Sequence, residues 1–322
     1  MSLSKIQGGI GVSKSVPQAA HWDLVGIVTE LRETRERWRL KRNRDLGAHE
    51  FPSRDIIRDI VTQLRGALFP LRLGPADLKR DGEDFYVGNV LDAALNALVA
   101  QVKLELTSRQ RNEDKPIEAD VLTWKAGEIV TSFAKALSDL RAVLDTDVEA
   151  AYRGDPAARS VDEVLLCYPG VLALINHRLA HELYWLGVPL IARIIAELAH
   201  SETGIDIHPG ATIGGHFFID HGTGVVIGET AQIGENVRVY QAVTLGAKRF
   251  EATEDGALLK GQARHPIVED EVVIYAGATI LGRVTIGKGS TIGGNVWLTR
   301  SVPPGSQITQ ARSQQEGTEA AK

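Results

Sequence analysis

A six-residue spacing of aliphatic residues dominates the last third of this 322-residue chain. The spacing falls into three registers with fourteen positions: Ile207, Ile213, Ile219 and Val225; Ile227, Ile233, Val239 and Leu245; and Val268, Ile274, Ile280, Ile286, Ile292 and Leu298. A period of six matches neither an α-helix nor a simple strand, but it matches a triangular β-solenoid in which each hexapeptide forms one side. We therefore predict three-sided coils that stack and bury a continuous aliphatic column.

Two irregularities interrupt this repeat. The register slips by two residues between Val225 and Ile227, and an insertion of mixed charge, 246–267, separates the second register from the third. A solenoid tolerates such an insertion at a corner because a longer loop costs little extra closure entropy. Long loops on rigid scaffolds are often functional. We predict a solenoid over 205–304 that contains this inserted loop.

The chain upstream of the solenoid has a helical period, from about residue 21 to residue 204. One apolar stripe recurs every four residues over Val90–Val102, and a second covers Ala126–Leu144. Ser160 and Glu163 form a capping box that predicts a helix beginning at Val161. The predicted fold class is therefore an N-terminal all-helical domain followed by a parallel β-helix. Residues 1–20 are predicted to be a disordered polar tail, and 305–322 a second polar tail.

Composition limits the environment and the partners of the chain. The net charge is −5, which favours neither nucleic acid nor an anionic membrane as a partner. The sequence contains no run of eighteen apolar residues, so we predict no membrane span. The single cysteine, Cys167, cannot form an internal disulfide, and we interpret it as a core residue of a cytoplasmic protein.

The first candidate for chemistry is the segment 220–229, in which Asp220, His221 and Glu229 surround the register slip. A break in a strict repeat is where local rules yield to function. Imidazole is the natural base for activating a hydroxyl near neutral pH. The alternative is a solvated histidine at a corner.

A second candidate is Arg264-His265-Pro266, which closes the inserted loop. Proline fixes the path of the chain back into the solenoid, and arginine offers a forked donor for a carboxylate. On sequence alone, the interpretation of this segment as a solvated basic loop end has about equal weight with the functional one. A third candidate is Asp206, which precedes His221 by fifteen residues and could orient it from a neighbouring coil. A simple turn between helix and solenoid is the competing interpretation.

These segments resemble a known family. The hexapeptides resemble those of the hexapeptide acyltransferases, and the segment 220–229, DHGTGVVIGE, resembles the signature of serine acetyltransferases. The likeness includes DIHP at 206–209, QAVTLG at 241–246 and RHP at 264–266, and it extends over roughly 155–304. It implies a left-handed β-helix and the transfer of acetyl from acetyl-CoA to L-serine, the first step of cysteine biosynthesis.

The resemblance also implies roles for individual residues. His221 would be the general base on the serine hydroxyl, and Asp206 would orient it. His265 would be a further catalytic residue that helps to hold the substrate. The acetyl group would pass directly to serine with no acyl-enzyme, so Cys167 would have no role.

Substrate recognition follows from the same resemblance. Asp155 and Asp220 would bind the ammonium group of serine, and Arg264 would bind its carboxylate. Glu229 is a weaker candidate near the same pocket. On sequence alone, Asp155-Pro156 is most simply an extended turn before a helix.

The resemblance further implies a co-substrate site and an assembly. Acetyl-CoA would lie between solenoids, and its contacts would be mainly backbone groups near Gly246, Ala247, Ala276 and Gly294. No metal is expected. The solenoids would form homotrimers, and the helical domains would join two trimers into a hexamer. Docking to cysteine synthase is doubtful, because the chain ends in Ala-Ala-Lys and not in isoleucine.

Three other functions remain open on the sequence. A hexapeptide acetyltransferase could act on a sugar or a xenobiotic, since fold does not fix function. A zinc-dependent carbonic anhydrase of the γ type could use His216 and His221 as ligands. A non-enzymatic scaffold would release no thiol from acetyl-CoA with any acceptor.

Overall fold

The computed structural model describes residues 22–42, 51–111, 118–248 and 261–310. It divides into two compact units, 1–49 and 50–322. The first unit contains helix α1 (Leu24–Arg42). The predicted tail at 1–20, the middle of the inserted loop and the chain after residue 310 lie outside the described residues.

The second unit begins with a layer of helices that surrounds a shared core. Its helices are α2 (Arg54–Leu68), α3 (Pro70–Leu73), a 3-10 turn (Arg80–Gly82), α4 (Glu83–Arg111), α5 (Ala119–Gly154), α6 (Val161–Cys167), α7 (Pro169–Trp185) and α8 (Pro189–Thr203). Both predicted stripes contribute to this core, through Ala94, Leu98 and Val102 on α4 and through Ala126 to Leu144 on α5. The predicted stripes therefore mark true core faces.

Helix α4 contains a long apolar stretch. The segment Arg80–Gln110 is the one described helix that is long and apolar enough to cross a membrane by length and composition. In this structure α4 packs against α2 and α5 and contains the buried polar residues Gln101 and Glu105. Glu105 accepts hydrogen bonds from the backbone N–H groups of Leu190 and Ile191, both at 2.8 Å. It therefore caps the first turn of α8, where the backbone donors have no partner within the helix.

Two sequence interpretations in the helical part have different outcomes. The Ser160 hydroxyl accepts the Glu163 N–H at 3.0 Å, and the Glu163 carboxylate accepts the Arg159 N–H at 2.8 Å, which confirms the capping interaction at the start of α6. The interpretation of Cys167 as a core residue is wrong, because Cys167 is exposed. Helix α6 has only seven residues, and Cys167 lies at its end, beyond the buried Val164 and Leu165.

After α8 the chain forms short strands that pair in parallel. The described strands are β1 (Asp206–Ile207), β2 (Thr212–Ile213), β3 (Phe218–Ile219), β4 (Val226–Ile227), β5 (Gln232–Ile233), β6 (Arg238–Val239), β7 (Thr244–Gly246), β8 (Ile267–Val268), β9 (Val273–Ile274), β10 (Thr279–Leu281), β11 (Thr285–Ile286), β12 (Thr291–Ile292), β13 (Trp297–Leu298) and β14 (Gln307–Ile308). Sheet A contains β1-β4-β7-β10-β13, sheet B contains β2-β5-β8-β11, and sheet C contains β3-β6-β9-β12-β14. From β1 to β13 every third strand joins the same sheet, as a three-sided coil requires. Before β14, an isolated bridge between Ile286 and Val302 takes the place of a sheet B strand.

The strand register stacks the predicted aliphatic residues on one another. In sheet A, Ile207 pairs with Ile227, Ile227 with Leu245, Leu245 with Ile280, and Ile280 with Leu298. Sheets B and C continue the same pattern, and all fourteen predicted positions are buried. The prediction of an aliphatic column is confirmed.

The register slip in the repeat also has a structural basis. Ile227 pairs with Leu245, eighteen residues further on, whereas Ile207 pairs with Ile227 at a distance of twenty residues. The two additional residues fall in the corner that contains His221.

The solenoid continues past its predicted end at residue 304, because β14 pairs with β12 and places Ile308 beside Ile292. The sequence did not predict this last strand, because Ile308 is an isolated aliphatic residue, preceded by Gln307, in an otherwise polar tail.

The helices and the solenoid are joined by a buried ion pair. Arg178 on α7 donates to both carboxylate oxygens of Asp147 on α5, at 2.6 and 2.9 Å. Arg178 also donates to the carbonyl groups of Ile213 and Gly214, and Asp147 accepts the N–H of Phe217. These bonds satisfy the two buried charges and fix the first coil against α5 and α7.

Candidate functional site

Nine of the eleven predicted site residues lie on two edges of the three-sided solenoid. We call the corners that follow sheet C and precede sheet A the C–A edge, and those between sheets A and B the A–B edge. The C–A edge contains Asp220, His221, Ala276 and Gly294, and the A–B edge contains Glu229, Gly246, Ala247, Arg264 and His265. Within one chain, one side of the triangle therefore separates these two groups.

His221 occupies the register slip on the C–A edge. Its backbone is left-handed, with φ of 59°, and Gly222 follows with φ of 87°. A Cβ at Gly222 would lie 2.4 Å from Cδ1 of Ile205, so this corner requires glycine. The side chain of His221 is 70% exposed, and its Nδ1 lies 3.7 Å from Oδ1 of Asp220. The imidazole therefore faces solvent beside a carboxylate.

Asp155 lies in the same neighbourhood, at the turn that ends α5. Its carboxylate accepts hydrogen bonds from the Tyr168 hydroxyl and, at 2.8 Å, from the Ala157 N–H. These two bonds lower its pKa, and His221 and Arg238 add smaller effects in the same direction. Asp155 raises the pKa of Tyr168 to about 12, and Asp220 contributes to that shift. Two carboxylates and an imidazole are therefore close together, an arrangement suited to a substrate ammonium group and a hydroxyl.

Asp206 begins β1 and pairs with Val226 in sheet A. Its carboxylate forms a group with Glu197 and His200 on α8, whose potential ligand atoms all lie within 4.8 Å of one another. Glu197 is also paired with Arg193 at 2.6 Å. The carboxylate found beside His221 is that of Asp220, and the orientation of His221 by Asp206 stays a prediction.

His216 lies apart from His221 within one chain. It occupies the corner between sheets B and C, where its backbone N–H donates to Thr146 Oγ1 at 2.9 Å. Among the described residues, the group of Glu197, His200 and Asp206 is the one cluster of three potential metal ligands, and it includes neither of these histidines.

On the A–B edge, Arg264 is held by Glu229. An Nη2 donor of Arg264 lies 2.6 Å from Oε2 of Glu229, and Nη1 donates to the Gln262 carbonyl at 3.2 Å. The other Glu229 oxygen, Oε1, accepts from the Tyr184 hydroxyl at 3.0 Å. Burial raises the pKa of Glu229, but the bonds from Arg264 and Tyr184 outweigh it, so the pKa is below its ordinary value. Arg264 therefore has a fixed anionic partner on one side.

His265 is buried beside Arg264, with only 6% of its surface exposed. Its Nδ1 accepts from the Thr230 N–H at 3.1 Å, and Thr230 Oγ1 lies 2.9 Å from the same nitrogen. Burial, with help from Arg264, lowers the pKa of His265 to about 4. A neutral imidazole that accepts at Nδ1 has its proton on Nε2. His265 can therefore donate a hydrogen bond, but it cannot act as a cation near neutral pH.

Tight backbone packing fixes the ring of His265. A Cβ at Gly228 would lie 2.1 Å from the imidazole, so only glycine leaves room for it. Arg283 donates to the carbonyl groups of Thr230 and His265, at 2.7 and 3.1 Å. These contacts anchor the end of the inserted loop.

The residues predicted to contact acetyl-CoA are likewise divided between the edges. Ala276 and Gly294 occupy successive coils of the C–A edge, where the Ala276 carbonyl accepts the Asn295 N–H at 2.9 Å. Gly246 ends β7, its carbonyl accepts the Gly282 N–H at 2.9 Å, and Ala247 follows it at the A–B edge. Within one chain these four residues do not line one groove.

Sequence reasoning missed several residues that hold the predicted ones. Tyr168 binds Asp155, Tyr184 binds Glu229, and Thr230 binds His265. An aromatic residue within a helical apolar pattern looks like part of the core, and Thr230 looks like an ordinary solenoid turn. Only the three-dimensional proximity reveals their roles.

Comparisons with known proteins place this chain among acetyltransferases. The family model described as bacterial transferase hexapeptide (six repeats) matches residues 265–300. A serine acetyltransferase of Synechococcus elongatus, described as plasmid-borne, is 57% identical over 273 residues, which cover 84% of this chain and 86% of the relative.

Solved structures show the same fold. Serine acetyltransferase 1 of Entamoeba histolytica, solved in complex with L-cysteine, has 39% identity and a TM-score of 0.66, over 78% of this chain and 86% of that one. The Neisseria gonorrhoeae enzyme, solved in complex with serine, has 26% identity and a TM-score of 0.51, over 79% of this chain and 94% of that one. The helical layer and the left-handed parallel β-helix are therefore shared.

Proposed function

This chain belongs to the serine acetyltransferase family, and we propose that it transfers the acetyl group of acetyl-CoA to the hydroxyl of L-serine. The products are O-acetyl-L-serine and CoA, as in the first step of cysteine biosynthesis. The observation that supports this most strongly is the grouping of Asp155, Asp220 and His221 at a solvent-facing corner. That corner combines anions for an amino group with a base for a hydroxyl.

Recognition of serine needs groups of both charges. Asp155 stays ionised because Tyr168 and a backbone N–H stabilise its anion, so it can pair with the serine ammonium group together with Asp220. Arg264 has a forked guanidinium that suits a carboxylate. The paired requirement for an ammonium and a carboxylate selects an amino acid over a sugar.

The chemical step is a direct transfer. His221 accepts the proton of the serine hydroxyl as its oxygen attacks the thioester carbonyl, and a tetrahedral intermediate forms. Collapse of this intermediate breaks the C–S bond, and the departing thiolate takes the proton from His221. His265 donates a hydrogen bond from Nε2 and stays neutral throughout, because its pKa is about 4.

We further propose that the complete site is formed between subunits. The C–A edge supplies His221, Ala276 and Gly294, and the A–B edge of a neighbouring solenoid supplies Arg264, His265 and Gly246. Both edges run along the coil axis. Parallel solenoids packed around a threefold axis can therefore place the C–A edge of one subunit against the A–B edge of its neighbour. We propose a homotrimer as the smallest active form, and acetyl-CoA would lie in the groove between two solenoids.

The test is a thiol-release assay with acetyl-CoA and four acceptors: L-serine, L-homoserine, a hexosamine and water. We expect rapid CoA release with serine and only background release with hexosamine and water. Mass spectrometry should find O-acetylserine in stoichiometric yield with free CoA. A faster reaction with the hexosamine than with serine would reject the proposal in favour of a sugar acetyltransferase.

A further inference from the structure

Tyr184 links the helical layer to the A–B edge. It lies near the end of α7, and its hydroxyl donates a hydrogen bond to the Glu229 carboxylate at 3.0 Å. This bond connects the helical layer to the second coil of the solenoid. Glu229 in turn accepts from Arg264 at 2.6 Å. These three side chains form a continuous hydrogen-bonded chain that ends at the predicted carboxylate ligand.

The phenol is itself held in place by its neighbours. The His208 ring packs edge-on against Tyr184, with ring centroids 5.8 Å apart, and Trp185 makes a similar contact at 6.1 Å. His208 is fixed because its Nδ1 accepts the Gly210 N–H at 3.0 Å. Burial and the Glu229 carboxylate raise the pKa of Tyr184, so its hydroxyl stays protonated and remains a donor.

Glu229 needs this second donor because it would otherwise be free to rotate. Arg264 and Glu229 are each about one quarter exposed, and a partly exposed ion pair has little intrinsic preference for one geometry. A carboxylate with one oxygen bound to Tyr184 has a fixed plane, and it presents its other oxygen to Arg264 from a fixed direction. The guanidinium is then preorganised, because Glu229 holds Nη2 and the Gln262 carbonyl holds Nη1.

We propose that Tyr184 is a positioning residue for carboxylate recognition: through Glu229 it fixes the Arg264 guanidinium that receives the substrate carboxylate. The proposal rests on the proposed function for the identity of the substrate. It assigns a role to α7 in selecting the substrate, although α7 belongs to the helical layer.

The test compares the wild type with Tyr184→Phe, using L-serine and L-serinamide as acceptors. Serinamide retains the hydroxyl and the ammonium group but has no carboxylate. We expect the KM for serine to rise about 5- to 20-fold in the variant, with kcat changed less than about twofold, since one hydrogen bond to a charged group is lost. The KM for serinamide should be unchanged, so the preference for serine should fall by the same factor.

A double-mutant cycle tests the route through Glu229. If Tyr184 acts through Glu229, adding Tyr184→Phe to Glu229→Gln should raise the KM for serine by less than about twofold further. Tyr86→Phe, which removes a phenol on α4, is the matched control and should leave both acceptors unchanged. An equal rise in KM for serine and serinamide would show a merely structural role and overturn the proposal, as would fully additive effects in the cycle.

Calorimetric titration of serine and serinamide separates this inference from the proposed function. If the wild type binds serine but transfers no acetyl group, the function is wrong, and the affinity ratio of the two ligands still tests Tyr184. If the wild type transfers acetyl to serine and Tyr184→Phe behaves identically, the function stands and this inference is wrong. If the wild type binds no serine, both are wrong.

Discussion

The two histidines of the site have opposite surroundings, which give them different chemistry. His221 is mostly exposed, and its Nδ1 lies 3.7 Å from the Asp220 carboxylate. His265 is buried under the backbone of Gly228 and receives hydrogen bonds at Nδ1 from Thr230. One ring faces solvent, whereas the other is enclosed, neutral and able to donate from Nε2. This contrast in burial supports the proposed roles of His221 as the base and His265 as a hydrogen-bond donor.

Replacement of His221 tests the assignment of the base. His221→Ala should lower kcat by about a hundredfold or more, because a positioned general base contributes about 10²- to 10⁴-fold. Steady-state CoA release measures this, and circular dichroism checks the fold. His216→Ala, which removes a histidine on another edge of the coil, is the control and should retain wild-type kcat. Full activity in folded His221→Ala would remove this residue from the mechanism.

Buried neutral histidines should make the protein sensitive to acid. Burial holds the pKa of His177 well below its ordinary value, and His177 Nδ1 has no hydrogen-bond partner among the described residues. The unfolded chain binds a proton at this residue as pH falls through about 6.5, whereas the folded protein does not. The free energy of unfolding should therefore decrease as pH is lowered from about 7 to 5.

His177→Gln measures the share of this one residue. Each buried neutral histidine contributes a slope of up to about 1.4 kcal/mol per pH unit below its unfolded pKa. Urea unfolding of the variant at several pH values should give a slope smaller by about that amount than that of the wild type. An unchanged slope would show that His177 binds a proton equally in the folded and unfolded states, and would contradict its burial as a neutral residue.

Among the elements, α5 and α7 depend on the buried pair of Asp147 and Arg178 to hold the first coil. Burial raises the pKa of Asp147, and the two bonds from Arg178 with the Phe217 N–H oppose that effect. The pair aligns the turn that ends α5, where Asp155 lies, with the corner that contains His221. The pair therefore helps to hold both α5 and the first coil in place.

Removal of one charge from this pair should destabilise the whole unit. Asp147→Asn leaves Arg178 buried without a counter-charge, and we expect a loss of about 3 to 5 kcal/mol in the free energy of unfolding. Asp145→Asn on the same helix breaks only the exposed pair with Arg141, and it should cost less than about 1 kcal/mol. Denaturant melts of both variants measure the difference. Equal stabilities would contradict the structural role of the buried pair.

The elements also differ in how well the sequence could predict them. The aliphatic registers were predictable because each coil repeats one steric rule, and so was the capping box of α6, which is local. The bond between Tyr184 and Glu229 joins residues 45 positions apart, and no local pattern indicates it. The exposure of Cys167 was mispredicted because a short helix leaves its end outside the core. Local periodicity therefore predicts the helices and the solenoid. The polar contacts that orient the site residues depend on which segments are close in the tertiary structure, so the local sequence does not predict them.

At the scale of the whole molecule, the predicted chemistry is divided between two edges, so the described residues of one chain do not bring the two predicted groups together. His221 and Asp220 lie on the C–A edge, and Arg264 and His265 lie on the A–B edge. A rigid solenoid cannot bend to bring its own edges together, because stacked coils bury a continuous core. The resemblance implies that His221 meets Arg264 and His265 across a subunit boundary, and the order of the strands in the three sheets separates them within one chain.

Mixed oligomers test whether neighbouring subunits complete the site. His221→Ala and Arg264→Ala should each be nearly inactive at a serine concentration that is limiting for the wild type. When the two variants are unfolded together and reassembled in equal amounts, a subunit boundary works only if one side retains His221 and the other retains Arg264. Random mixing gives such a boundary at roughly one in four positions, so about a quarter of wild-type activity should return. Reassembled single variants are the controls, and no recovery in the mixture would place both residues in sites that each chain forms alone.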